Sequence, residues 1–460
     1  MKLSELEYQR DSSLLFEQVA DEPWSMFIDS GYPRIDMGRY DIIVASPEVT
    51  LSTFGDITHI KSQAAEAFTS TDDPFLLVKQ YLGESESNLS GLPFCGGALG
   101  YFSYDLGRRI ELMPNTANHD ITLPDMAIGI YDWAVIVDHH QRRSWLTSFC
   151  RYESTSAKWQ ELESLFQNKT INKKRDYSIT TSINSNMTKA DYIDAFNKVK
   201  HYICEGDCYQ VNLAQRFQVG LEGDSWQVYQ SLRQFNPAPY ASYINLPEGA
   251  VISSSPERFL RVTGNQVETK PIKGTVHRSA FAYEDKALAE TLMESEKDRA
   301  ENLMIVDLLR NDISKTCKSG SVTVPKLFAL ETYATVHHLV STVKGKLADD
   351  MHAVDLLRGC FPGGSITGAP KLRSMEIIEE LEPHRRSIYC GSIAYIGFDG
   401  NMDSNICIRT LIREEEWMYF YAGGGIVWDS DADKEYQECF DKAAGIIKLC
   451  QNAKQTATIN

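Results

Sequence analysis

The sequence predicts an α+β fold built on large antiparallel β-sheets. Runs of β-branched and aromatic residues alternate with amphipathic helical stretches, and their spacing is typical of hairpins and not of strict βαβ units. The composition is that of an ordinary globular protein, because 43% of the 460 residues are hydrophobic and 24% are charged. A chain of this length favours two or three domains.

The N-terminal part, residues 1–165, is strand-rich. Residues 40–45, 96–102 and 128–137 each form a run that predicts one strand bounded by turn residues. The most polar tract, 166–186, is predicted to be a linker or excursion. We expect a second region over residues 187–455, packed closely against the first.

The second region begins with a helix signal. Thr188 followed by Asp191 resembles a capping box and predicts a helix that ends near Glu205. Residues 209–217 then alternate as a strand. The remaining elements are predicted as helices at 284–312, 370–382 and 432–450 and as strands at 392–397 and 418–422.

Charge and cysteine content limit the classes of partner. The formal net charge of −17 disfavours nucleic acid and anionic membranes, because both require basic patches. The sequence has no apolar stretch of about 18 residues, and its acidic start predicts no signal peptide. The ten cysteines form no Cys-x-x-Cys pair, which favours reduced thiols. We therefore expect a soluble, cytoplasmic protein without nucleic-acid or membrane partners.

Lys273, in the pentapeptide Pro-Ile-Lys-Gly-Thr at 271–275, is the most informative residue. Proline fixes the backbone before it, and glycine allows the backbone after it to approach a ligand closely. Such a lysine could serve as a surface cation, a carboxylate anchor or an amine nucleophile. The pentapeptide alone leaves these alternatives open.

Carboxylates on two helices form a candidate metal site. Glu301 lies in the helix predicted at 284–312, while Glu435 and Glu438 lie on one face of the last helix at i, i+3. A carboxylate near a core needs a partner, and a magnesium ion shared by Glu301 and Glu438 would provide one. From the spacing alone, solvated or arginine-paired glutamates are the favoured interpretation.

Two glycine loops and two single residues are weaker signals. Residues 361–371 open a helix with free amides that could hold an anion, and 423–427 form a second amide-rich turn. Arg409 interrupts a strand pattern, so it could bind a carboxylate or form a structural ion pair. His338 could act as an acid or base, although a lone histidine is more often structural.

Taken together, these segments resemble the chorismate-utilising enzymes, and they occur in the family order across residues 188–450. The N-terminal part also resembles the family at 23–26 and 39–44, with less diagnostic motifs. The resemblance implies a sandwich of large antiparallel sheets with helices on the outside. The segments that carry it are 253–259, 271–275, 298–312, 338–341, 361–371, 405–410, 423–427 and 435–438.

Two positions separate the sub-families. Gln210 lies where isochorismate- and salicylate-forming members carry a lysine that activates water, so water chemistry is disfavoured. Lys273 lies where anthranilate-forming members typically carry alanine. The resemblance thus implies conversion of chorismate and ammonia to 4-amino-4-deoxychorismate, a precursor of para-aminobenzoate and folate, through a covalent Lys273 adduct. Anthranilate formation is the nearest alternative, and a non-catalytic regulatory binding subunit is a distant one.

The resemblance also implies a role for each matching residue. Lys273 is the nucleophile, His338 an acid or base, and Glu257 lies near the departing hydroxyl. The implied magnesium ligands are Glu301 and Glu438, with Glu435 adjacent or bridged by water. The implied substrate-binding positions are Gly274, Thr275, Ser365, Tyr389, Arg409, Gly424 and Gly425.

The implied partners are ammonia, its source and an amino acid. No amidotransferase nucleophile region is recognisable, so we expect a separate glutamine amidotransferase subunit in a weak or transient complex. Anthranilate-forming members hold a feedback tryptophan near Leu-Leu-Glu-Ser, whereas residues 13–17 here are Ser-Leu-Leu-Phe-Glu. A bound tryptophan is therefore expected, if retained, as a structural site without feedback control.

Overall fold

The computed structural model describes residues 1–33, 38–168, 173, 175–333 and 336–457, with side chains through residue 453. Two large antiparallel sheets face one another, and helices cover their outer sides. The predicted fold class is therefore confirmed. None of the helices in these ranges is long and apolar enough to cross a membrane.

The elements of the described ranges follow in chain order. The strands are β1 (Lys2–Leu6), β2 (Met26–Asp29), β3 (Tyr40–Val44), β4 (Val49–Phe54), β5 (Ile57–Ser62), β6 (Phe68–Ser70), β7 (Gly97–Phe102), β8 (Met126–Tyr131), β9 (Trp133–Asp138), β10 (Arg143–Ser148), β11 (Tyr177–Ile179), β12 (Asn184–Ser185), β13 (Gln210–Gly223), β14 (Tyr240–Leu246), β15 (Gly249–Ser255), β16 (Arg258–Thr263), β17 (Gln266–Thr269), β18 (Ile272–His277), β19 (Thr323–Thr332), β20 (Val336–Lys346), β21 (Gly368–Ala369), β22 (Ser392–Gly397), β23 (Met402–Asn405), β24 (Thr410–Glu414) and β25 (Trp417–Ile426). The α-helices are α1 (Ser13–Phe16), α2 (Pro74–Leu82), α3 (Glu153–Gln167), α4 (Lys189–Glu205), α5 (Ser225–Phe235), α6 (Ala282–Glu294), α7 (Glu296–Ser314), α8 (Ala353–Cys360), α9 (Lys371–Leu381) and α10 (Ala432–Ala457).

Both sheets combine strands from the two ends of the chain. Sheet A runs β1-β10-β9-β3-β2-β14-β15-β24-β25-β13-β11, and sheet B runs β18-β20-β17-β16-β23-β22-β7-β8-β4-β5-β6. The early strands join the late ones at β2–β14 in sheet A and at β7–β22 in sheet B. The N-terminal region therefore continues the sheets of the C-terminal region.

The hydrophobic core has two clusters. One contains residues of both sheets together with residues of α2, α7 and α8, and the other lies between sheet A and helices such as α4, α5 and α10. Adjacent residues of β3 belong to different clusters, because Ile42 is in the first and Ile43 in the second. Sheet A is thus covered on both faces along β3, and its neighbour β9 is a nearly continuous apolar run that is buried throughout.

Two predicted elements are wrong in their boundaries. The run 128–137 is not one strand, because β8 belongs to sheet B and β9 to sheet A, and the chain changes sheets at Asp132. The helix predicted at 284–312 is two helices, since Ser295 leaves helical geometry at ψ 106°. The Ser295 side chain accepts a hydrogen bond from the Asp298 amide and caps α7.

The other predicted elements are confirmed, although β13 continues to Gly223 and α10 to Ala457, beyond their predicted ends at 217 and 450. Thr188 and Asp191 form a capping box at the start of α4. The polar tract 166–186 falls in part on 169–172 and 174, which lie outside the described residues. Its described portion contains β11 and β12, which pair with β13 along sheet A.

Candidate active site

Lys273 lies on β18 at an irregularity in the strand pairing. The register between β18 and β20 shifts between Ile272 and Thr275, and Gly274 has a φ of 78°. A Cβ atom at Gly274 would lie 2.9 Å from both Asp298 Cγ and Leu292 Cδ1. Glycine is required here because the strand passes close to α6 and α7 in a left-handed conformation.

The Lys273 amine and the Glu257 carboxylate meet at Ser365. Lys273 Nζ donates to the Ser365 backbone oxygen at 3.4 Å, and Ser365 Oγ donates to Glu257 Oε1 at 3.3 Å. Burial raises the pKa of Glu257 above its usual value, although the positive charge of Lys273 acts in the opposite direction. A proton acceptor with an increased proton affinity therefore lies beside the amine.

His338 lies on β20 directly opposite Thr275 of β18. Its Nδ1 atom shares a 2.8 Å hydrogen bond with Thr275 Oγ1. Burial, with a smaller contribution from the charge of Arg409, lowers the pKa of His338 below its usual value. The imidazole is therefore neutral near pH 7 and can accept a proton.

Arg409 occupies a constrained position between β23 and β24, with a φ of 52°. Its side chain is half-buried, and burial lowers the pKa of its guanidinium. Among the residues that the structure describes, no carboxylate pairs with this guanidinium. The structural ion pair considered from the sequence is therefore absent, and the free fork suits an anionic ligand.

Helix α10 places Glu435 and Glu438 against Gly424 of β25. A Cβ atom at Gly424 would lie 2.9 Å from Glu435 Oε2 and 3.2 Å from Glu438 Oε1. The buried Glu435 accepts a hydrogen bond from Ser430 Oγ at 2.7 Å. Burial raises the pKa of Glu435, and the neighbouring charge of Glu438 raises it further.

Glu301 brings a third carboxylate from α7. Burial raises its pKa above the usual value, Lys273 and Lys297 act in the opposite direction, and Asp298 and Glu438 add to the increase. The charges of Lys273 and of Glu438 on α10 thus both act on the Glu301 carboxylate.

The donor chemistry fits a hard divalent cation. Within the described ranges, no group of three or more histidine, cysteine or acidic side chains forms a complete metal cluster. Magnesium does not require one, because it is held in proteins by one or two carboxylates together with water and substrate oxygens. The partly desolvated carboxylates of Glu301 and Glu438 satisfy that requirement.

The glycine turn of β25 faces Gln210 of β13. A Cβ atom at Gly425 would lie 1.9 Å from Gln210 Nε2, so this position tolerates no side chain without movement of the glutamine. Gln210 Oε1 is buried and has no hydrogen-bond partner among the described residues. An unsatisfied buried acceptor costs free energy, which makes this oxygen a candidate ligand contact.

Tyr389 lies in a separate aromatic contact. Its ring stacks on Tyr421 with centroids 5.2 Å apart and planes 8° apart, and the Arg386 guanidinium lies 5.6 Å from its centroid. These described contacts do not join Tyr389 to Lys273 or Arg409, so its role in substrate binding stays a prediction.

The motifs did not single out Lys442, although it belongs to the acidic site. Its Nζ atom lies 2.6 Å from Glu438 Oε1 and donates to the Gly423 backbone oxygen at 2.9 Å. The i, i+4 spacing from Glu438 is the sequence signal that could have identified it.

The two-sheet fold and this site define the class of protein. The sequence matches the chorismate binding enzyme family over residues 26–448, so the chain belongs to that family. The resemblance drawn from the motifs is confirmed.

Individual members of the family differ in how similar they are to this chain. The chain is 48% identical over 443 residues to aminodeoxychorismate synthase component 1 of Escherichia coli (strain K12), with 96% of each protein covered. It is 49% identical over 437 residues to the protein of the same name in Klebsiella aerogenes, covering 94% of this chain and 95% of that protein. A solved structure, anthranilate synthase component I from Streptococcus pneumoniae TIGR4, superposes with a TM-score of 0.79 at 31% identity. That superposition covers 89% of this chain and 92% of the other.

Proposed function

We propose that this chain aminates chorismate at ring carbon 4 to give 4-amino-4-deoxychorismate, for para-aminobenzoate and folate synthesis. The observation that carries the proposal is the position of Lys273, which contacts Ser365 and interacts electrostatically with both Glu257 and Glu301. The greater identity to proteins named aminodeoxychorismate synthase component 1 than to the anthranilate synthase supports the same assignment.

The substrate would lie between the two groups of charged residues. Arg409 would bind the pyruvyl carboxylate, with Tyr389 and the Gly425 amide completing that end. Gly274, Thr275 and Ser365 would surround the ring. A magnesium ion held by Glu301 and Glu438, with Glu435 adjacent, would neutralise the ring carboxylate when bound and so favour departure of the hydroxyl.

The chemistry then needs a nucleophile and a proton acceptor. The amine must be neutral to attack, and the Glu257 carboxylate, which shares Ser365 with Lys273, would take its proton. The Lys273 amine forms a bond to ring carbon 2, both ring double bonds shift, and the bond from ring carbon 4 to its hydroxyl breaks, so that the hydroxyl leaves as water after protonation. Ammonia then bonds to ring carbon 4, both double bonds shift back, and the carbon–nitrogen bond to Lys273 breaks. Covalent catalysis divides one difficult substitution into two steps.

His338 is the second proton-transfer group. Its neutral imidazole, held by Thr275, can take a proton from the attacking ammonia and return it to the released amine. Ammonium predominates in neutral water, so we further propose that a separate glutamine amidotransferase component supplies ammonia directly.

Product analysis tests the assignment. The protein, chorismate, a magnesium salt and an ammonium salt should yield 4-amino-4-deoxychorismate without pyruvate release. Anthranilate fluorescence without an added lyase would instead support anthranilate synthesis. Any turnover excludes the non-catalytic regulatory subunit. Mass spectrometry of protein incubated with chorismate and magnesium but no ammonia should detect an adduct on wild type and none on Lys273→Ala.

We also propose a structural amino-acid site away from the reaction. A cavity of about 420 Å³ lies near the start of β14 and includes Ser30, Arg39 and Tyr240. The cavity is large enough for tryptophan. Phe16, in the segment 13–17, is not part of its lining, because the Phe16 ring packs against Phe27 and Trp226. Added tryptophan should raise the melting temperature and leave turnover unchanged; strong inhibition would contradict this expectation.

We also propose a cytoplasmic location, which the free cysteines support. All ten cysteines are free, and most are buried. Such thiols persist in a reducing compartment. Fractionation of cells should recover the chain with cytoplasmic markers.

A further inference from the structure

Strand β20 lies between two neighbours that are both irregular. On one side, the register of β18 shifts so that Lys273 and Gly274 together oppose Leu339. On the other side, the register of β19 shifts in a stretch that includes Phe328, which has a φ of 56°. Bulges of this kind disrupt the ladder, so backbone groups beside them need other hydrogen-bond partners. The proposed nucleophile thus belongs to one of two bulges that flank the same strand.

Two fully buried side chains supply such partners. Asn302 of α7 and Ser341 of β20 are both 0% exposed. Asn302 Nδ2 donates to the Leu339 backbone oxygen at 3.3 Å, and the Phe328 backbone amide donates to Ser341 Oγ at 3.1 Å. Ser341 Oγ donates in turn to Asn302 Oδ1 at 2.5 Å. The pair therefore joins the two bulges to each other and to α7.

On α7, the pair lies next to the proposed magnesium ligand. Asn302 directly follows Glu301, a carboxylate on which the charge of Lys273 acts. One helical turn before Asn302, Asp298 packs against the β18 bulge, because a Cβ atom at Gly274 would lie 2.9 Å from Asp298 Cγ. A displacement of α7 at Asn302 would therefore move the Glu301 carboxylate relative to the bulge.

On β20, the pair contacts the segments of the other two reacting groups. The Ser341 backbone amide donates to the Pro271 backbone oxygen at 3.2 Å, two residues before Lys273. The backbone oxygen that accepts from Asn302 belongs to the residue after His338. Three segments that are far apart in the sequence thus meet at one amide–hydroxyl hydrogen bond. Displacement of a reacting group by about 1 Å can cost about 100-fold in rate.

We infer that Asn302 and Ser341 are positioning residues of the proposed reaction. Their hydrogen bond holds the β18 bulge, and with it the Lys273 amine, at a fixed place between Glu301 and His338. Both residues act through their neighbours, since neither side chain is exposed. This inference rests on the proposed function.

Ser341→Ala is the mildest test, because it removes one oxygen atom. The purified variant is compared with wild type and with Thr53→Val, which removes a buried hydroxyl bonded to Thr58 towards the opposite end of sheet B. With chorismate and magnesium but no ammonia, the Lys273 adduct should form about 10- to 100-fold more slowly in Ser341→Ala. Turnover with an ammonium salt should show an equal loss in kcat and in kcat/KM, because the proposed carboxylate contact at Arg409 is unchanged. Thr53→Val should match wild type in both assays.

A double-mutant cycle tests whether the two side chains act as one unit. Asn302→Leu replaces the amide with an apolar group of similar volume and should slow adduct formation by about the same factor as Ser341→Ala. The double variant should then be no slower than the slower single variant. Losses that multiply in the double variant would contradict a shared role. If Asn302→Leu does not fold, the comparison of Ser341→Ala with Thr53→Val decides the question.

Magnesium binding gives a readout that is independent of turnover. Calorimetric titration with magnesium and no chorismate should find about tenfold or more weaker binding to Ser341→Ala, because Glu301 shifts with Asn302. If the melting temperature falls while adduct formation and magnesium affinity match wild type, the pair serves only stability, and the inference is overturned. Equal slowing in Thr53→Val would overturn it as well. A wild-type protein that neither forms the adduct nor aminates chorismate would instead refute the proposed function, an outcome that no variant is needed to recognise.

Discussion

Lys442 lies one helical turn after Glu438, and its Nζ atom is 2.6 Å from Glu438 Oε1. The same ammonium donates to the Gly423 backbone oxygen. Because the charge of Glu438 raises the pKa values of Glu301 and Glu435, Lys442 supplies positive charge where these carboxylates repel one another. A metal ion bound there, as proposed, would take over this compensation, so the lysine and the metal would compete for Glu438.

Lys442→Met should therefore have opposite effects on metal-free stability and on metal binding. The ion pair is nearly half-exposed on both sides, so its loss should cost at most about 1 kcal/mol without magnesium. With Glu438 released, magnesium should bind more tightly and raise the melting temperature more than in wild type. Thermal unfolding with and without magnesium measures both effects, and Lys448→Met on the same helix is the control. An unchanged magnesium-induced shift would refute the competition.

Gly424→Ala should disturb the acidic site through its added methyl group. The new Cβ atom would lie within 2.9 Å of Glu435 Oε2 and 3.2 Å of Glu438 Oε1 and would move both carboxylates. Displaced ligand positions typically cost about 10- to 100-fold in metal affinity. Magnesium binding by calorimetry should show that loss. The control is Gly445→Ala on α10, where the nearest atom is 3.4 Å away and binding should be unchanged.

The sequence predicted the α4 capping box and the fold class, because both depend on local patterns. It could not show that 128–137 divides between two sheets. Both faces of β8 and β9 are buried, so the apolar run continues through Asp132 without a change of period. The break at Ser295 was equally hidden, since helix-forming residues lie on both sides of it.

Local sequence patterns predicted only part of the site, because its contacts join segments that are far apart in the sequence. Lys273, Glu257 and Ser365 come from separate segments, and only the family resemblance grouped them before their contacts were known. Whether the Arg409 guanidinium is paired or free depends on tertiary contacts, which a local sequence pattern does not show. The role of Lys442 became visible only when α10 was placed against Gly423.

Glu257→Gln should change the pH dependence of both stability and turnover. Burial raises the folded-state pKa of Glu257 above 4.5, so wild-type stability falls as pH rises from that value through the raised pKa. The neutral glutamine avoids this loss. Urea unfolding should therefore find the variant more stable at pH 7.5, with the advantage disappearing near pH 4.

Although Glu257→Gln should be more stable than wild type at pH 7.5, its turnover should be lower. Loss of a proton acceptor typically costs about 10²- to 10⁴-fold, so Glu257→Gln should be slow at every pH. The acid limb of the wild-type kcat/KM profile, set by the raised pKa of Glu257, should be absent from the variant. A variant profile that keeps this limb would assign it to another group.

Arg409→Gln should separate substrate binding from stability. The half-buried guanidinium has no carboxylate partner among the described residues, and burial opposes its charge. Removing the charge should leave the free energy of unfolding unchanged or increased, which is the expected trade-off at a preorganised binding site. Binding should suffer, because loss of a charge-assisted bidentate contact typically costs about 2–5 kcal/mol, or at least about 30-fold in kcat/KM for chorismate. The control is Arg413→Gln on β24, which donates to the Glu415 backbone oxygen and should leave kcat/KM unaffected. A lower stability of Arg409→Gln, with kcat/KM close to wild type, would show that the arginine supports the fold and does not bind the substrate carboxylate.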